Sequence, residues 1–132
     1  MNESNGERVL LFGFEDGQQF KAIQMVLYML QISGRCVTKE EYGVPLKMLA
    51  ADEEIPNPGP GCMRDLGGQM IVFVGLGEEK LERLLALLRS NPSCGKIPYK
   101  AILTHINRDW NAYTLLAELK KEHAAMHAKA GD

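Results

Sequence analysis

The chain has 132 residues, 45% of them apolar and 24% charged, with a formal net charge of −2. That length suits one domain with a self-sufficient core. The slightly acidic balance speaks against an electrostatic nucleic-acid binder, and three cysteines without CxxC spacing speak against a disulfide framework or a structural zinc site.

Residues 1–7 read as a polar tail without the apolar stretch of a signal peptide, so a reducing cytoplasm is the expected setting. Arg8–Phe14 (RVLLFGF) is a short apolar run and predicts a buried strand. Asp16 and Gln19 have capping-box spacing. Phe20, Ile23, Leu27 and Leu30 then recur as one helix stripe, with Gly34 in the place of a C-terminal glycine. Residues 35–44 are read as a connection. The run from Pro45 (PLKMLA) is read as the second strand, since proline at a strand's first residue breaks no ladder bond. Residues 52–68 are acidic, then rich in proline and glycine, and predict the one long loop.

After that loop the order recurs. Met70–Leu76 (MIVFVGL) predicts a strand. The next helix has Leu81, Leu84, Leu85 and Leu88 on one face, and Glu78 and Glu79 in its first turn, where the helix dipole favours negative charge. PYKAILT, from Pro98, predicts the returning strand. Asn111 is a suitable N-cap for a final helix over 111–128, with Leu115, Leu116 and Leu119 inward. The halves 8–51 and 69–104 therefore align, Gly13 with Gly75, Pro45 with Pro98 and Lys47 with Lys100. The expected domain spans 8–132: duplicated βαβ units forming a four-stranded ferredoxin-like α+β sheet plus a C-terminal helix. The alternative is a small, open, mostly parallel sheet. Both faces of the apolar strands need cover: the two crossover helices supply it on one, and the last helix or a second subunit on the other.

Pro98, Lys100, Ala101, Leu103, Thr104, Asn107, Trp110, Leu116, Glu118, Leu119 and Glu122 follow the pattern PLKA-ILT, N-x-x-W, EL-x-x-E. Over Met70–Met126 the chain thereby resembles a small bacterial family of domains of unknown function, with Tyr99 where the pattern has leucine. The resemblance implies a bacterial cytoplasmic domain and no assigned chemistry.

The candidate site residues are Lys47, Lys100, Asn107, Arg108 and Trp110. The two lysines are candidates for an anion clamp, or else simple strand-end cations. The turn after the last strand is where α/β sheets place ligands, although Asn107 can equally bond its own backbone and Trp110 plug a helix–sheet junction. His123 and His127, at i and i+4, share a helix face but lack a third metal ligand. Cys62, in the long loop, is the cysteine expected to be most exposed. GFEDG and GLGEE lack the glycine pattern of phosphate loops and place acids where phosphate would sit. Phe12, Phe14 and Phe73 have no basic neighbours in sequence, unlike the aromatics of an RNA-reading sheet. No apolar run approaches the length of a membrane span. No catalytic constellation or cofactor motif emerges. The expected function is a non-enzymatic regulatory or interaction module that associates with itself, as a homodimer, or with a protein partner through the sheet face. A small-molecule or anion-binding domain or enzyme, with its site at the five residues above, is the alternative.

Overall fold

The computed structural model describes residues 7–15, 17–51 and 65–130, the last four as backbone only. In chain order the elements are β1 (Arg8–Phe12), α1 (Gln18–Met29), β2 (Ser33–Val37), α2 (Leu46–Ala50), β3 (Met70–Val74), α3 (Glu78–Ser90), β4 (Tyr99–Ile102) and α4 (Ala112–Ala130). They form an α+β fold around one open, mixed four-stranded sheet of order β2-β1-β3-β4. β1 runs parallel to β2, β3 runs parallel to β4, and the central β1–β3 pair is antiparallel.

The two βαβ units and the C-terminal helix are as expected, but the strand order is not ferredoxin-like. A ferredoxin-like sheet splits each βαβ unit with a strand of the other. Here the two strands of each unit pair directly, and the units meet along β1 and β3. The sheet is open, as in the alternative expectation, and mixed rather than mostly parallel.

The second strand lies earlier than the sequence suggested. β2 is SGRCV, an edge strand with only Val37 fully buried, so no apolar run announces it. Gly34 is not a helix terminus. It sits in β2 because a Cβ there would lie 2.7 Å from Leu27 Cδ1, so glycine lets α1 approach the strand closely. PLKMLA folds instead as the short helix α2, with Pro45 as N-cap and Leu46 and Leu49 fully buried at helical spacing. The repeated Pro-x-Lys is thus not a structural repeat: Pro45 and Lys47 start a helix, while Pro98 and Lys100 enter a strand. Gly13 and Gly75 do correspond, each following the first strand of its unit with positive φ, 78° and 68°.

The capping box expected at α1 rests on Asp16, which lies outside the described residues; the N-cap is Gly17, without a side-chain hydrogen bond. Gln19 instead exchanges amide hydrogen bonds with Gln69 (2.8 and 3.1 Å) and donates to the Cys94 carbonyl (3.0 Å), tying α1 to the second half. At α4 the predicted cap is present, Asn111 Oδ1 accepting from the Thr114 N–H at 2.9 Å.

Each sheet face is covered within the chain. On one, Val9, Leu11, Ile71 and Phe73 pack against Ile23, Val26 and Leu27 of α1 and Leu84 and Leu88 of α3. On the other, Leu10, Phe12, Met70 and Val72 pack against Leu46 and Leu49 of α2 and Leu115 and Leu116 of α4. Two-sided burial explains why β1 and β3 read as continuous apolar runs. The central strands β1 and β3 are thus packed on both faces within the chain, while the edge strands β2 and β4 stay partly exposed. Phe12, Phe14 and Phe73 are all buried, so the sheet presents no aromatic platform for bases.

The β2 edge is held by an ion pair. Arg35 meets Glu41 at 2.6 Å, each side chain about one-fifth exposed. Burial works against ionisation of Glu41, but hydrogen bonds from the Thr38 N–H and the Arg35 guanidinium outweigh it and hold the carboxyl below its ordinary range. A depressed carboxylate contributes stability above its unfolded-state pKa and loses it as pH falls through the folded-state value. Glu41→Gln is expected to cost about 1 kcal/mol at neutral pH and nothing once the carboxyl is protonated. Urea titrations of both proteins between neutrality and about pH 3 measure the convergence.

Candidate functional site

Because β4 ends the sheet, its outer edge is a surface. The Leu103 N–H donates to the Phe73 carbonyl at 2.9 Å, which with the parallel register fixes the alternation of β4. Ala101 and Leu103 turn their backbone groups toward β3; Lys100 and Ile102 turn theirs outward. One residue closes part of that edge. Asn107 is 8% exposed, and its side-chain amide donates to the Ile102 carbonyl (3.1 Å) and accepts from the Thr104 N–H (2.9 Å). Its carboxamide therefore occupies the place of one peptide group of a neighbouring strand. Pro98 has no N–H to offer. Between these ends, the alternation leaves the Lys100 N–H and C=O and the Ile102 N–H facing away from β3.

Two helices wall this edge. α3 contributes Leu81, Leu85 and Arg89, and α4 contributes Leu115, Glu118, Leu119 and Glu122, with Trp110 from the connecting turn. The resulting groove has a volume of about 730 Å³ and a mostly apolar lining. Ile102 and Ile106 are 52% and 64% exposed along it. Its side chains divide by face. The register places Lys100 and Ile102 beside Ile71 and Phe73, on the α3 side, and Ala101 beside Val72, on the α4 side.

The candidate lysines do not form a clamp. Lys47 pairs with Asp109 at 2.7 Å on an exposed surface, and the Asp109 carboxyl is lowered chiefly by that hydrogen bond. Lys100 donates to the Ile97 carbonyl. Lys100, Asn107 and Trp110 line the groove; Lys47 and Arg108 do not. The backbones of Lys47 and Arg108 have a structural part instead. The first N–H groups of α2, from Leu46 and Lys47, donate to the carbonyls of Trp110 (2.8 Å) and Arg108 (2.9 Å), so the turn satisfies donors that a helix start leaves free.

His123 packs edge-on against Tyr99, and the side chain of His127 lies outside the described residues. No group of three His, Cys, Asp or Glu side chains suited to a metal occurs among the described residues. Cys62 also lies outside them. Cys36 is exposed and Cys94 buried; burial raises both thiol pKa values, away from the reactive thiolate.

Sequence reasoning missed Arg89 and Lys96. At the start of β4 a smaller depression is lined by Leu88, Arg89, Gly95, Lys96, Ile97, Pro98 and Lys100. It holds three cations and no carboxylate, and it shares Arg89 and Lys100 with the groove. Burial, and then the Arg89 charge, push the Lys100 ammonium below its ordinary range.

Residues 69–126 match the family model of a domain of unknown function, DUF3783. This part of the chain is similar to that family. The DUF3783 segment contains β3, α3, β4 and most of α4, and every residue lining the groove falls within it. Searches of curated proteins and of solved structures found no match.

Proposed function

We propose that the chain is a non-enzymatic interaction module of a bacterial cytoplasmic protein, and that it works by receiving an extended peptide segment along the β4 edge. The observation that carries this reading is the row of outward backbone groups on Lys100 and Ile102, set in an apolar groove between α3 and α4. Strand addition to a sheet edge takes its affinity from such groups and its selectivity from flanking pockets. Proteins usually blunt long open edges, and Asn107 already shortens this one. What stays open accommodates about three backbone hydrogen bonds, each worth roughly 0.5–1.5 kcal/mol. The apolar walls must supply the rest, so binding in the micromolar to millimolar range is expected. With both sheet faces covered, the edge replaces the face as the interaction surface.

A site for a small anion has less support. It relied on Lys47 meeting Lys100, and their side chains make separate local contacts.

Amide hydrogen exchange tests the proposal. In the free protein Lys100 and Ile102 are expected to exchange fast while Ala101 and Leu103 are protected. A blocked heptapeptide, acetyl-Thr-Val-Val-Glu-Val-Val-Thr-amide, is expected to slow exchange at Lys100 and Ile102 while leaving β2 unchanged. No slowing at either amide would reject strand docking. Slowing that rises with protein concentration in the absence of peptide would identify a second copy as the occupant.

A further inference from the structure

The charge at the start of β4 narrows the chemistry of the docked strand, given that a strand docks there at all. Three cations, Arg89, Lys96 and Lys100, line one depression without a carboxylate. Among the described residues, Arg89 makes no ion pair and Lys100 donates to a backbone carbonyl. Two cations this close repel each other, and a carboxylate between them relieves both.

A strand paired with β4 places its side chains in register with those of β4, alternating between the two walls. The residue facing Lys100 points to the α3 side, toward Arg89. The residue two positions away faces Ile102 on the same side, against Leu81 and Leu85. The residue between them points to the α4 side, where Trp110, Leu119, Glu118 and Glu122 line the groove.

We infer that the occupant is a segment of a partner protein that carries Asp or Glu facing Lys100, with apolar residues at the next two positions toward Ile102. A second copy of this chain does not fit that description. Its two edge strands are Tyr-Lys-Ala-Ile and Ser-Gly-Arg-Cys-Val, with no acid to offer. Antiparallel self-pairing centred on Lys100 would set like charges directly opposite, which is destabilising.

The probe is the heptapeptide above, whose sequence reads the same in both directions, so strand polarity does not affect the test. Its blocked ends remove the terminal carboxylate as a competing anion. It is compared with the peptide in which Gln replaces Glu, each titrated into the isotopically labelled full chain and followed by amide chemical shifts. The Glu peptide is expected to bind about fivefold more tightly at low salt, with the gap closing near 0.5 M salt. The double variant Arg89→Met, Lys100→Met is expected to bind both peptides equally. An unchanged far-UV spectrum and urea midpoint would show that it still folds. Equal binding of the two peptides by the unaltered chain overturns the acidic requirement while leaving strand docking intact. Failure of both peptides to shift Lys100 and Ile102 overturns docking itself, and the acidic requirement with it.

Discussion

Gly13→Ala is expected to cost the fold about 3 kcal/mol or more. Gly13 leaves β1 with φ at 78°, in the left-handed region that an L side chain adopts at a cost of about 1–2 kcal/mol. Sterics add to this. A Cβ at Gly13 would lie 2.4 Å from the Gly68 carbonyl oxygen, a backbone atom just ahead of β3. Backbone cannot swing aside like a lysine tip, so β1 and β3 would have to part at the centre of the sheet. The Gly13 N–H also donates to the Tyr42 hydroxyl at 3.0 Å, and that bond would be strained by the same shift. Gly77→Ala provides the control: no heavy atom lies within 4 Å of a Cβ there, and φ is −69°. Its effect is expected to stay within about 0.5 kcal/mol. Urea unfolding of the two variants beside the parent measures the contrast.

Asn107→Ala is the second large effect, expected at about 2–4 kcal/mol. The substitution deletes an amide that serves two backbone groups at once. It leaves the Thr104 N–H without its acceptor and the Ile102 carbonyl without its donor. Each unsatisfied group costs roughly 1–3 kcal/mol where water cannot reach it, and less where it can. Asn107→Asp separates the two bonds. Its carboxylate still accepts from Thr104 but turns a second acceptor toward the Ile102 carbonyl. Its penalty should therefore be largest near neutrality and shrink below about pH 4, where a protonated carboxyl can donate. Unfolding of this variant and the parent, compared at each pH, reads that recovery. A penalty that does not change with pH would mean that Ile102 needs no donor.

The sequence disclosed the elements that bury much apolar surface. β1 and β3, buried on both sides, and α1, α3 and α4, buried along one face, were legible because burial imposes an apolar pattern, continuous in the strands and periodic in the helices. β2 was not legible, since an edge strand built on Ser33, Gly34 and Cys36 carries no such pattern. PLKMLA misled because a run of apolar residues this short fits a strand or one helical turn. The spacing of Leu46 and Leu49 is the helical signal within it.

The site was legible in part. The position of Asn107 just after the last strand, and its ability to bond backbone, were readable from the sequence. So was Trp110 as an apolar body at a junction between layers. The groove itself depends on β4 lying at the edge of the sheet. Strand order comes from long-range pairing, which no local pattern encodes. Arg89 and Lys96 stand on different elements and come together with Lys100 only when α3 folds back over β4. Before folding they are three ordinary surface cations.

The interlock between the halves bears on how this domain can be divided. β3 pairs with β1 along its whole length, and the turn ahead of α4 supplies acceptors to the start of α2. The Ala112 N–H in turn donates to the Tyr42 carbonyl. Freed from residues 8–51, the DUF3783 segment would present Met70–Val74 as an open, wholly apolar border, the kind of surface that drives aggregation. A family boundary at residue 69 therefore marks where sequence likeness begins, while a unit that pairs β3 on both sides begins at β1. A truncation that keeps the whole groove would still lose the strand that covers this border.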